Sequence, residues 1–297
     1  MSEITIFTIP KPFIGNINII QRNSIQSWLK LVSANQIFLF GDEFGVAENA
    51  KEFGINHIPF IRRTNLGTPL INDAFNQTKS IVQTRFLCYL NSDIILLSDV
   101  AKILSNIKKN EFLLVGRRWN LDVEKPIDFY ADWESNIRAE VEKRGKLFSE
   151  FGIDYFIFPS ELCIDMPDFA VGRPGWDNWL IYQIRSQRKC VIDATEGIMA
   201  IHQNHDYSHI PKATKVNSYF GPEADENLRL IGSEKCLFSV NDATHSYKNG
   251  KLVIDYDGYR IFWRVEHQQV LLKNDISRFV IKCINYAYKI LIRLITK

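Results

Sequence analysis

Over residues 1–115 short apolar runs alternate with longer periodic segments, and this alternation constrains the fold more than any other feature. Ile4 to Ile9 is β-branched and apolar and stops at Pro10, which reads as a buried strand. Ile17, Ile20, Ile25, Trp28, Leu29 and Val32 then recur at helical spacing. Gln36 to Phe40 reads as a second strand closed by Gly41-Asp42, and residues 43–53 as a helix that Gly54 stops. His57 to Ile61 is a third strand. After the polar loop Arg62 to Thr68, Pro69 opens a helix that runs towards Val82. Arg85 to Leu97 is a fourth strand region interrupted by Asn91-Ser92-Asp93; a helix over 99–108 and a fifth strand, Phe112 to Val115, follow. Strands separated by helices predict an α/β fold: a mostly parallel central sheet covered on both faces. Ligands of such sheets bind at the carboxyl ends of the strands, so polar residues at those ends are the candidates for function.

Beyond residue 116 the pattern loosens. Asp132 to Arg144 and Trp176 to Arg185 read as helices, Tyr155 to Phe158 and Cys190 to Ile192 as strands, and residues 203–250 are polar and turn-rich. With 297 residues, 46% hydrophobic and 24% charged, the chain has enough apolar material for a substantial core. Its 36 basic and 34 acidic residues leave a net charge of +2, which gives no footprint for a nucleic-acid partner. The five cysteines are scattered and form no CxxC pair, so buried free thiols in a reducing cytoplasm are expected rather than disulfides or a structural zinc site. Met1-Ser2-Glu3 leads straight into the first strand without a basic start, and no run of about 18 uncharged apolar residues occurs, so neither a signal peptide nor a membrane span is expected.

Four clusters carry candidate chemistry. In Asn91-Ser92-Asp93 a carboxylate sits between two apolar runs, where it is costly unless paired or bound to a cation. Mg²⁺ and Mn²⁺ take oxygen ligands and bridge carboxylates to substrate phosphates. The competing reading is a turn or helix-capping acid. Asp42 follows the second strand and reads either as a contact for a base or ribose or as a helix cap. Arg62 and Arg63 end the third strand, as diphosphate-binding guanidinium forks or as a solvated surface pair. In Trp176-Asp177-Asn178-Trp179, after a glycine-rich turn, the tryptophans read as sugar-stacking rings or as core. Asp177 there reads as a base towards an acceptor hydroxyl or as an acid in a first helical turn. His202, His205 and His209 fall within eight residues, three of the six histidines of the chain, and one or more can complete a metal or phosphate site.

Taken in order, these parts resemble the GT-A glycosyltransferases, over roughly residues 3 to 210. In that family a Rossmann-like half binds a nucleotide and a DxD-type motif after the fourth strand holds a divalent ion. Here the motif is Asn91-Ser92-Asp93, with Asn91 in the place of the first acid. The resemblance implies donor contacts from Asp42, Arg63, Asn91 and Ser92, and Mn²⁺ or Mg²⁺ held by Asp93 with His202 or His205. It also implies acceptor contacts from Trp176, Asn178 and Trp179, and Asp177 as general base of an inverting transfer. The implied partners are a nucleotide-sugar donor and a glycan or lipid-linked acceptor. The implied organisation is a transferase domain over 1–210 (donor half 1–115, acceptor half 116–210), an extension over 211–275 and a basic amphipathic helix over 276–297. In that last segment Phe279, Ile284 and Leu291 alternate with Lys282, Lys289 and Arg293, which suits either an anionic membrane surface or packing on its own domain. Two other readings stay open: a sugar-phosphate nucleotidyltransferase, although Thr8 to Phe13 does not fit the glycine-rich, basic loop such enzymes carry after the first strand, and a non-catalytic nucleotide- or glycan-binding protein on the same scaffold.

Overall fold

The computed structural model describes residues 3–205, 220–255 and 258–272, with residues 280, 283 and 286 singly. The candidate His209 and most of the segment 276–297, with its expected membrane contact, lie outside the described residues.

The chain is α/β with a mostly parallel central sheet, as the alternation predicts. The main sheet contains β1 (Ile4–Thr8), β2 (Ile37–Phe40), β3 (Asn56–Ile58), β4 (Phe86–Leu90), β6 (Phe112–Val115), β9 (Tyr155–Pro159), β10 (Cys190–Asp193), β12 (His245–Lys248) and β13 (Lys251–Ile254). Their order is β13-β12-β10-β6-β9-β4-β1-β2-β3. β1 is parallel to β2 and β4, and β10 to β6 and β12, whereas β9 runs antiparallel to both β4 and β6. The described part of the extension over 211–275 thus supplies two strands of this sheet.

The central strands are buried on both faces, and their period of two sorts their side chains between two cores. Ile4, Ile6, Phe86, Cys88, Leu90, Phe112 and Leu114 face one side, where Ile25 and Trp28 of α1 (Gly15–Leu29), Val46 and Ala50 of α2 (Val46–Phe53) and Ile103 of α4 (Asp99–Asn106) cover them. Phe7, Leu87, Tyr89, Leu113, Val115, Phe156 and Phe158 face the other, under Ala74 and Phe75 of α3 (Ile71–Ile81) and Leu180, Ile181 and Ile184 of α6 (Trp176–Ser186). Phe75 stacks on Phe158 with ring centroids 5.5 Å apart.

A second sheet, in the order β5-β11-β7-β8, comprises β5 (Ile94–Ile95), β7 (Arg118–Leu121), β8 (Lys146–Leu147) and β11 (Ala200–Gln203). Ile95, Leu121 and Ile201 pack there with Trp133, Ile137 and Val141 of α5 (Trp133–Arg144). The fourth strand region is therefore two strands in two sheets, and Asn91-Ser92-Asp93 is the turn between them. Two further helices, α7 (Pro222–Ile231) and α8 (Gly258–Leu271), complete the described chain. The cysteines are free; Cys88 and Cys236 are buried, whereas Cys163 and Cys283 are exposed, against the expectation of buried thiols. No helix among the described residues is long and apolar enough to cross a membrane.

Candidate active site

The carboxyl ends of β1, β4 and β6 open on one edge of the sheet. Because β9 is reversed, it brings its amino end, Asp154, to the same edge. A cavity of about 630 Å³ lies there, lined among others by Lys11, Asp93, Arg118, Asp154, Asp177, His202 and His205.

Asp93 is buried at the β4–β5 turn. Its Oδ2 lies 3.1 Å from His205 Nε2 and 3.9 Å from His202 Nε2, and its Oδ1 is buried with no hydrogen-bond partner. His202 Nδ1 is also buried without a partner. One ligand atom from each of the three residues falls within 4.8 Å of the others. A buried polar atom left unpaired costs about 1–3 kcal/mol, and a cation held by Asp93 would satisfy its Oδ1. One carboxylate with two imidazoles is a mixed donor set that suits Mn²⁺ better than Mg²⁺, which favours an all-oxygen shell. Burial pushes the Asp93 carboxyl up, but Lys11, His202 and His205 together outweigh it and hold the group well below the usual carboxylate range. Burial lowers the His202 imidazole, against the pull of Asp93, and so favours the neutral form that can ligate.

The chain fixes this cluster through backbone and amide bonds. His202 pairs with Ile94 across the antiparallel β5–β11 ladder. Gln203, fully buried, donates from Nε2 to the carbonyls of Ile20 and Asp93 and to Ser24 Oγ, while its Oε1 accepts from Asn23. The Gln203 amide also donates to the Asp93 carbonyl at 3.2 Å. The second sheet is thus tied to α1 and to the turn that carries Asp93.

No protein-family model matches the sequence, and no curated protein does. Among solved structures the chain is similar to glucosyl-3-phosphoglycerate synthase from Mycobacterium tuberculosis with Mn²⁺, UDP and phosphoglyceric acid (12% identity, 77% of this chain, 78% of that chain, TM-score 0.45). It is also similar to GalNAc-T7 with UDP, GalNAc and Mn²⁺ (12% identity, 77% and 48% covered, TM-score 0.47). A third is TarS 1-349 of S. aureus with UDP-GlcNAc (12% identity, 90% and 71% covered, TM-score 0.48).

Asp177 sits in the first turn of α6 on the cavity wall. Gly175 precedes the helix with φ +91°, and a Cβ there would lie 2.5 Å from Ile231 Cδ1, so only glycine lets the chain turn into α6 at this point. Burial pushes the Asp177 carboxyl up to about 7. The Asn178 amide, which donates to Oδ1 at 2.9 Å, opposes the shift, and nearby Asp154 adds to it. An acid that titrates near neutrality at a cavity wall suits proton transfer.

The other expected residues divide. Asn91 and Ser92 line the cavity, but their side chains hold the scaffold: Asn91 donates to Asp154 Oδ1 at 2.7 Å and Ser92 to Gln21 Oε1 at 2.7 Å. Trp176 and Asn178 line the cavity as well; the Asn178 side chain donates to the Phe238 carbonyl. Trp179 does not line it. Its ring is buried edge-on to Phe169, 5.2 Å between centroids, so it has no face to offer a sugar. Asp42 and Arg63 pair with each other and are not among the lining residues, whereas Glu43, also bonded to Arg63, is. Arg62 pairs with Asp168 in solvent.

Sequence reasoning missed Lys11, Arg118 and Asp154. Arg118 pairs with Asp154 and lies 4.5 Å over the Phe148 ring. Lys11 and Arg118 come shortly after β1 and β6, so the rule that selected Asp42 and Asp93 applies to them too. Glu223 is a further omission. It ties Arg173 on the cavity wall to Thr64 and Thr68.

Proposed function

We propose that this protein is a divalent-metal-dependent glycosyltransferase that moves a sugar from a nucleotide-diphosphate sugar to an acceptor hydroxyl. One observation carries the reading: an under-partnered buried carboxylate with two imidazoles, and an acid that titrates near neutrality, open on the same cavity at the carboxyl edge of the sheet. Asp93, His202 and His205 would hold the ion, which would supply positive charge to the leaving diphosphate.

Asp177 takes the proton of the acceptor hydroxyl. The acceptor oxygen attacks the anomeric carbon as the bond from that carbon to the diphosphate oxygen breaks, and the electron pair leaves with the nucleoside diphosphate. A single displacement of this kind inverts the configuration. Trp176 and Asn178 stand beside Asp177 and shape the acceptor side. The acceptor is a glycan or a lipid-linked saccharide, as in polysaccharide assembly.

The test is a thermal-shift screen of nucleotide sugars with and without Mn²⁺, followed by transfer assays on the sugar that stabilises most. Mn²⁺-dependent stabilisation with donor turnover is expected. Stabilisation without hydrolysis or transfer of any donor would leave a nucleotide-binding protein, and no stabilisation by any nucleotide would remove the reading altogether.

A further inference from the structure

Lys11 follows β1 and points its ammonium at the metal-binding candidate. Its Nζ lies 3.4 Å from Asp93 Oδ2 and 3.2 Å from His205 Nε2, so it occupies the space between two of the three ligands. The side chain is 34% exposed against 9% for Asp93, so it has room to swing while the carboxylate does not. Its backbone is anchored separately: Gln21 Oε1 accepts from the Lys11 amide at 2.8 Å and Gln21 Nε2 donates to its carbonyl at 2.9 Å. The same Gln21 oxygen accepts from Ser92, next to Asp93. The stem of Lys11 is therefore registered on the turn that carries the acid, and only its end is movable.

We propose that Lys11 and a divalent cation compete for the Asp93 carboxylate, and that the donor's diphosphate relieves the competition by drawing the ammonium onto its own oxygens. An ammonium and a divalent ion on one carboxylate repel each other at this range. A diphosphate brought to the ion offers the ammonium a stronger partner close by. Lys11 thus makes ion binding conditional on donor binding: alone, the ion must displace a cation; with the donor, the displaced cation becomes a contact. The inference rests on the metal site proposed above.

The test is Mn²⁺ binding followed by electron paramagnetic resonance, with and without UDP as the diphosphate probe, in the wild type, Lys11→Met and Lys11→Arg. In the wild type UDP should tighten Mn²⁺ about tenfold or more. Lys11→Met should bind Mn²⁺ alone about fivefold or more tighter, and the gain from UDP should shrink by a similar factor. Lys11→Arg keeps the charge and should resemble the wild type. The anchored backbone predicts that both variants fold, which their melting temperatures check. Mn²⁺ affinity in Lys11→Met equal to or weaker than in the wild type overturns the proposal, and so does an undiminished effect of UDP. If none of the three proteins binds Mn²⁺, the metal site and the role of Lys11 fall together. If the Lys11 pattern appears and no donor is turned over, only the transferase reading falls.

Discussion

Two carboxylates, Asp42 and Asp93, follow strands on the same edge of the sheet, and their surroundings are opposite. Asp42 is 70% exposed and pairs with Arg63 on a rim that water reaches. Asp93 is 9% exposed, keeps one oxygen without a partner and faces two histidines and a lysine. The exposed pair is complete as it stands and contributes little; the buried acid is incomplete and calls for a ligand. An acid at a strand end is therefore informative only once its remaining lone pairs have been counted.

The largest effect that would break this contrast comes from Asp93→Ala. It should abolish Mn²⁺ binding and lower transfer by about three orders of magnitude or more. Metal titration and initial rates check both, and retained activity would put Asp93 on a par with Asp42. Next comes Asp177→Asn, expected to cut turnover by about a hundred- to ten-thousand-fold while donor binding survives. The sign with pH follows from the carboxyl at about 7: it is protonated and inactive as a base below that value and ionised above it. Wild-type turnover should therefore rise between about pH 6 and pH 8, and the residual rate of the variant should lose that rise.

Gln203→Leu tests whether the buried cluster depends on its support. Losing the Gln203 hydrogen bonds should cost about 2–4 kcal/mol of stability by denaturant unfolding and weaken Mn²⁺ binding. The smallest effect belongs to the rim. Asp42→Ala should change stability by only about 0.2–1 kcal/mol. If it instead weakened donor binding as much as Asp93→Ala, the contrast would be wrong and the rim would belong to the donor site proper.

The main sheet was legible because its strands are runs such as Phe86–Leu90 and Phe112–Val115, buried on both faces and separated by helical spacing. Asp93 was legible for the same reason: a charge between two such runs has few places to go. The second sheet was not. Its strands are two to four residues long, and β5 meets β11 only through pairing far along the chain. The direction of β9 was also hidden, since a period of two is the same in both senses, and with it the arrival of Asp154 at the edge. Trp176 and Trp179 could not be told apart in sequence. They are three positions apart on one helix and both rings are buried, Trp176 against Tyr89 and Phe156 and Trp179 against Phe169; only the fold decides that the first residue borders the cavity and the second does not.

The reversed strand at the centre of the sheet divides the labour of the cavity. Its floor comes from segments that leave β1 and β4, and a large part of its opposite wall, Phe148 to Ile153, from the single stretch that enters β9. Substitutions in that stretch would change this side of the cavity while leaving the residues of the turn at Asp93 in place.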